Sequence, residues 1–187
     1  MAQGPLPLEV DIVLGWCVMH GLLKDTLGSA VRPLAVGEFF RRHIFSALLH
    51  ASWDRCRAIL FDGDGAPGHF PRQFAVGLPC GCDMLAHAVR LLLEVHPHLC
   101  ALKLDSRNAF NEICRWAMLG ELKRLVPGLF RFAYRMYAGT SEPGPRLLFG
   151  LKGGRVRIIW SRQGPQQGDP GGPLLFALAL HPALHAL

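Results

Sequence analysis

The stretch Leu102-Lys103-Leu104-Asp105-Ser106-Arg107-Asn108-Ala109-Phe110-Asn111-Glu112-Ile113-Cys114-Arg115 carries the strongest pattern in the chain. Over Cys100–Asp105 the residues alternate. Ala101, Lys103 and Asp105 fall on one side and Cys100, Leu102 and Leu104 on the other, which is the period of a short strand. Asn108–Leu122 then reads as a helix, with Phe110, Ile113, Ala117 and Leu119 supplying much of its apolar side. A carboxylate is thus expected at the C-terminal edge of a strand, with a helix starting within three residues. Backbone N–H groups of such a turn point the same way as the carboxylate. Mg²⁺ takes one or two carboxylates plus substrate phosphate oxygens, so the place suits a metal–triphosphate. An isolated Asp at a strand–helix junction also serves as a plain helix cap, and this stretch alone leaves both readings open.

Other elements are expected around it. Gly37–His50 has Phe40, Ile44 and Leu48, with Phe45 and Leu49, at helical spacing. Asp83–Val95 has a stripe of Leu85, Ala88, Leu92 and Val95, with Asp83 as a possible cap. Phe130–Tyr137 is a further helix. Arg146–Trp160 reads as a β-hairpin turning at Lys152-Gly153-Gly154. The Gly/Pro-rich loop Gly164–Pro173 then enters the apolar helix Leu174–Leu187, which needs several neighbours to bury it. Within that loop, Gln167 offers both a donor and an acceptor, and its glycines let backbone approach a ligand closely.

Composition bounds the function. Half of the 187 residues are hydrophobic and 18% are charged, which excludes a disordered tail or charged linker. The net charge is +6, unevenly spread. Residues 1–99 hold 8 Lys and Arg against 9 Asp and Glu, whereas residues 100–168 hold 12 against 4, a net of +8. A basic second half points to a polyanion, most simply nucleic acid, or is no more than a solvated basic surface. The apolar runs Val10–Leu23 and 171–187 are interrupted by Asp11 and His20, and by His181, Pro182 and His185. They read as core helices, and no membrane partner is expected. The start Met-Ala-Gln-Gly-Pro has neither a basic region nor an apolar run, so residence inside the cell is expected, and the nucleus is compatible with that.

Several other features read as structural. Six irregularly spaced Cys argue against a disulfide scaffold, and Cys80-Gly81-Cys82 reads as buried free thiols rather than half a zinc site. His181 and His185 have ligand spacing but no Glu between them. Asp62-Gly63-Asp64-Gly65 lacks the later ligands of a calcium loop and reads as a polar turn. Trp16, Trp53, Trp116 and Trp160 read as core or half-buried packing rather than base-stacking surfaces.

Taken together, the two principal stretches resemble the reverse transcriptases of non-LTR retrotransposons. LKLDSRNAFNEICR (102–115) is similar to their first palm motif, and SRQGPQQGDPGGPLLFALALHPAL (161–184) to their second. RPLAVGEFFRR (32–42) and FAVGLPCGCDMLAHAVRLLLE (74–94) resemble fingers segments in the same order, so the likeness covers about residues 30–187. The resemblance implies an α+β fold: the fingers and partial palm of a right-hand polymerase, with helices packed on a small antiparallel sheet and strand Cys100–Asp105 at its centre. It implies a helical lead-in over 1–30, a fingers-like segment over 31–99 and a partial palm over 100–187.

The activity implied is RNA-directed DNA polymerisation, with an RNA template, a DNA primer and deoxynucleoside triphosphates as partners and two Mg²⁺ ions as cofactor. By position, Asp105 would be the catalytic, metal-binding carboxylate, and the Ser106 carbonyl would be a second ligand. Ser106, Asn108, Ala109, Phe110, Gln167 and Gly168 would surround the nucleotide, with the Phe110 ring crowding a 2′-hydroxyl. Arg32 would contact template or phosphate. The family draws its remaining carboxylates from an aromatic-X-Asp-Asp motif, and no Asp-Asp pair occurs in this sequence. The rest of the palm and the thumb would follow beyond it. The chain is therefore expected to be inactive alone. The alternative is a retroelement remnant that binds nucleic acid without chemistry.

Overall fold

The computed structural model describes residues 7–23, 31–61, 73–138 and 144–186. The chain is α+β, with eight helices and one four-stranded mixed sheet among the described residues. Helix α1 (Leu8–Gly15) leads into strand β1 (Cys17–Leu23), which pairs antiparallel with β2 (Val31–Gly37) from Cys17↔Gly37 to Leu23↔Val31. Helices α2 (Phe39–Ala51), α3 (Trp53–Phe61) and α4 (Gly81–Val95) follow, then α5 (Ala109–Glu112), α6 (Arg115–Leu125) and α7 (Pro127–Tyr137). The hairpin β3 (Arg146–Gly150) and β4 (Val156–Trp160) joins the sheet in the order β2-β1-β3-β4 before the last helix, α8 (Gly172–His185). β3 runs parallel to β1, in register Cys17↔Leu147.

Local chemistry explains most of these boundaries. The Glu38 carboxylate accepts from the N–H groups of Phe40 and Arg41 (2.8 and 3.2 Å), capping α2. Pro127 opens α7, where its missing N–H costs nothing. The hairpin turns at Lys152–Gly154, as its sequence predicts. The core is helix on helix. Phe45 of α2, Leu60 of α3, Met118, Leu119 and Leu122 of α6, Leu129, Phe132 and Met136 of α7 and Leu175 and Leu178 of α8 form one buried cluster. Earlier elements, α6 and α3 among them, thus cover much of the apolar face of α8. No helix among the described residues is long and apolar enough to cross a membrane.

Several expectations are corrected. Cys100–Asp105 is not a strand: it lies outside the sheet, with Leu102 81% and Leu104 82% exposed. Its alternation is correct for a strand, but a ladder needs a second strand to satisfy its backbone groups, and none lies beside it among the described residues. The sheet is mixed rather than antiparallel. The lead-in expected to be helical over 1–30 carries α1 and then strand β1, because Val18–Leu23 finds β2 as a partner. The single helix over Asn108–Leu122 is two, α5 and α6, separated where Ile113 and Cys114 are extended. Asp83 lies in the first turn of α4 and does not cap it.

The register of α2 gives a direct test. Phe45 is fully buried against Phe132, ring centroids 5.4 Å apart, whereas Phe40 is 65% exposed. Phe45→Ala is expected to cost about 3–5 kcal/mol of unfolding free energy. Phe40→Ala should stay within about 0.5 kcal/mol. Urea denaturation of both variants checks the assignment.

Candidate functional site

Segments far apart in sequence meet at one cleft of about 800 Å³. Arg32 and Leu34 of β2 line one wall, Asn108, Ala109 and Phe110 a second, and Gln167 and Gly168 a third. Beside it a smaller cavity of about 610 Å³ is lined by Arg32, Asp105, Ser106, Arg107 and Asn108. Arg32 and Asn108 border both. The nominated residues therefore gather in two adjoining cavities. Asp105 and Ser106, both exposed, sit in the smaller one, while the other nominated residues line the larger cleft.

The walls have identifiable supports. Asn108 adopts the left-handed conformation (φ +52°), which Asn tolerates better than most side chains. The Phe110 ring stacks on Phe176 of α8, centroids 4.9 Å apart at 15°, which fixes its position in the cleft. The Ala35 N–H donates to the Gln167 carbonyl (2.7 Å), tying β2 to the loop. Gly168 (φ +103°) lies so close to the Ala35 carbonyl that a Cβ would come within 2.8 Å of it. At Gly164 (φ +62°) a Cβ would strike the Phe110 carbonyl. The Gly164 N–H instead donates to the carbonyl of Ile113 (3.0 Å), at the break between α5 and α6.

Behind the cleft lies a buried polar network that spacing did not reveal. Arg41 is 1% exposed and pairs with Asp169, Nη2 to Oδ2 2.6 Å. The other Asp169 oxygen accepts from the Gly171 N–H at 2.9 Å. Arg41 Nη1 donates to the carbonyls of Leu14 (3.4 Å) and Gly15 (3.5 Å) and to Cys17 Sγ (3.3 Å). Cys17 in turn donates to Gln166 Oε1 at 2.8 Å. Arg115 donates to the carbonyls of Tyr137, Ser161, Gln163 and Gly164 and to Ser161 Oγ. The Tyr137 ring lies between the two guanidinium groups, 5.5 Å from Arg41 and 5.4 Å from Arg115, and its hydroxyl accepts from the Gln166 N–H (3.3 Å).

Charge in this network follows its surroundings. Burial works hardest against the Arg41 cation, but Asp169, Cys17 and Tyr137 together more than offset it, and the pKa rises above the ordinary arginine value. Burial foremost lowers Arg115 to about 10, which leaves it charged at neutral pH. Burial pushes the Cys17 thiol up to about 11, so it stays protonated and acts as a donor. Tyr137 is raised well above its usual value, chiefly by burial.

Arg41 stands four residues before Phe45, on the same face of α2, so helical spacing places it inward, but spacing does not name the partner that neutralises it. Arg115 likewise shares one face of α6 with Met118, Leu119 and Leu122, and only its distant acceptors are invisible to local spacing. Gly171 packs on the Phe45 ring, and a Cβ there would come within 2.2 Å of Phe45 Cζ.

Other nominated features resolve plainly. The six Cys are free; Cys17 and Cys56 are buried, whereas Cys80, Cys82, Cys100 and Cys114 are exposed, contrary to expectation for Cys80 and Cys82. Among the described residues no group of three or more His, Cys, Asp or Glu is placed to hold a metal ion. Trp16, Trp53 and Trp160 are half-buried, but Trp116 is 66% exposed. The Asp62–Gly65 turn lies outside the described residues. No protein-family model matches the chain, and no curated protein matches it in sequence.

Two outcomes test the network. Arg41→Met leaves Asp169 as a buried, uncompensated carboxylate and is expected to cost about 3–5 kcal/mol in urea denaturation. The second concerns the thiols. A folded-state pKa above the unfolded value makes the folded chain hold that proton more tightly. The Cys17 contribution is therefore complete below the unfolded pKa of about 9 and is lost as pH rises through about 11. At pH 8 a disulfide reagent should label the four exposed thiols quickly and Cys17 and Cys56 only on unfolding.

Proposed function

We propose that this chain is the fingers and partial palm of a reverse-transcriptase domain of the non-LTR retrotransposon kind, acting on an RNA template, a DNA primer and deoxynucleoside triphosphates. One observation carries the reading. Residues matched independently to a fingers block (Arg32) and to two palm motifs (Asn108, Ala109 and Phe110; Gln167 and Gly168) line a single cleft. Asp105 and Ser106 border the cavity next to it. Nothing in the local spacing of these segments requires them to meet.

In this reading Arg32 and Arg42 meet phosphate oxygens, since both border the cleft and carry fixed positive charge. The Phe110 ring, held by Phe176, occupies the space a ribose 2′-hydroxyl would need. Gln167 faces the base or sugar with a donor and an acceptor. The nucleotide thus binds through this chain's own side chains and loop.

The two-ion chemistry of the resembling family is a different matter. Two Mg²⁺ ions about 3.5–4 Å apart need several carboxylates. Among the described residues Asp105 is the one carboxylate on its cavity, which Arg32 and Arg107 also line. Asp169 borders the larger cleft, but its oxygens are committed to Arg41 and the Gly171 N–H. The donor set of the described residues does not fit a pair of ions. The chain by itself is proposed to bind nucleotide and nucleic acid without joining them.

Two measurements test this. A fluorescent deoxynucleoside triphosphate should bind the purified chain, and Arg32→Ala should weaken it about 10- to 150-fold, as expected for a charge-assisted contact of roughly 1.5–3 kcal/mol. Phe110→Ala should narrow the preference for deoxy- over ribonucleotide. Unchanged affinity in Arg32→Ala would sink the cleft assignment. Primer extension on RNA with Mg²⁺ should give no product; incorporation abolished by Asp105→Ala would overturn the inactivity.

A further inference from the structure

The outer face of α6 and α7 carries three aromatic rings in a row: Phe130 packs against the core, and Trp116 and Tyr134 stand outside it. Trp116 is 66% exposed, Tyr134 is 41% exposed and Phe130 is half-buried. Ring centroids lie 6.4 Å apart from Trp116 to Tyr134 and 5.5 Å apart from Tyr134 to Phe130. Lys123 Nζ sits 5.5 Å from the Phe130 centroid, and Arg131 is exposed on the same helix as Phe130 and Tyr134. Trp116, Gly120 and Lys123 follow at steps of four and three, so they share one face of α6.

Gly120 sharpens the picture. It stands inside a helix, where glycine destabilises relative to alanine. A Cβ there would meet nothing within 4 Å, so no packing contact within the described fold requires the missing side chain. The result is a notch between the Trp116 end and the Lys123 end of the row. Exposed aromatic side chains clustered in this way mark an interaction surface rather than ordinary exposure.

Charge selects the occupant. Residues 100–168 carry a net of +8, and Lys123, Arg124 and Arg131 lie on these two helices. The nearby acid, Glu121, is neutralised by Arg124 at 2.6 Å. Flat rings beside cations suit a polyanion with flat faces of its own, which is unpaired nucleic acid; base–aromatic stacking is indifferent to sequence.

We propose that the α6–α7 face is a second nucleic-acid surface. Bases of a single strand stack on Trp116 and Tyr134 over the notch at Gly120, while Lys123 and Arg131 meet its phosphates. None of these residues lines the cleft described above. The inference shares the nucleic-acid partner of the proposed function and does not depend on any nucleotide chemistry.

The test compares a short oligothymidylate with an abasic strand of equal length on the purified chain, by tryptophan fluorescence and filter binding. Trp116→Ala is expected to weaken oligothymidylate binding about 5- to 100-fold and to leave the abasic strand unchanged. Gly120→Gln should weaken it likewise while the helix becomes more stable to urea, so that lost folding cannot account for the effect. Affinities within about twofold of the parent in both variants would overturn the proposal, as would equal sensitivity of the abasic strand. Loss on Arg32→Ala alone would overturn this surface and leave the cleft reading intact. Binding of neither strand would overturn both.

Discussion

The pairing of Arg41 with Asp169 is the constraint on which the cleft depends. Each charge is costly to bury, by several kcal/mol, and the pair is tolerated because the remaining hydrogen-bonding capacity is largely used. The carboxylate is taken up by one guanidinium nitrogen and the Gly171 N–H. The guanidinium also reaches two α1 carbonyls and the Cys17 sulfur. One side chain of α2 therefore holds α1, the start of β1 and the Gln-Gly-Asp-Pro bend in a single arrangement. Without that pair, the hydrogen bond from the Ala35 N–H to the Gln167 carbonyl would be left to hold the bend against β2.

Arg115 performs the same office on the other side of Tyr137. Its guanidinium gathers the backbone of Ser161, Gln163 and Gly164 at the entry to the bend. This explains why the helix after Asp105 is interrupted. With Ile113 extended, its carbonyl is free of the helix ladder and accepts from Gly164. A continuous helix would have used that carbonyl internally and left the Gly164 N–H unpaired in a buried place. The break is a local loss that a long-range contact offsets, and it sets Phe110 beside Phe176.

The cleft and the core make different demands on the chain. Packing of α2, α3, α6, α7 and α8 is apolar and would tolerate many volume-conserving exchanges. The polar network tolerates few, since its members hold one another, with Arg41 Nε and Gln166 Nε2 the buried atoms left without a partner in it. Both Cys17 and Gln166 belong to it, with the thiol held protonated by burial and so able to donate. The exposed rings on α6 and α7 belong to neither layer, which is why their presence at the surface calls for a partner rather than a packing reason.

What the sequence determined by itself was whatever depends on near neighbours. The hairpin at 146–160 follows from alternation around Lys-Gly-Gly, the Phe130–Tyr137 part of α7 is legible as a helix, and α8 follows from its apolar run. The residues later found around the cleft were also nameable, because their motifs are contiguous. Tertiary structure decided the rest. Cys100–Asp105 has the period of a strand, yet a ladder exists only with a partner strand. Val18–Leu23 became a strand because β2 lies beside it. Arg41 and Arg115 went inside because their charges found acceptors distant in sequence, among them Asp169, 128 residues away, and Ser161, 46 residues away. Burial energies of charged groups are set by such remote partners, and no periodicity in a local window encodes them.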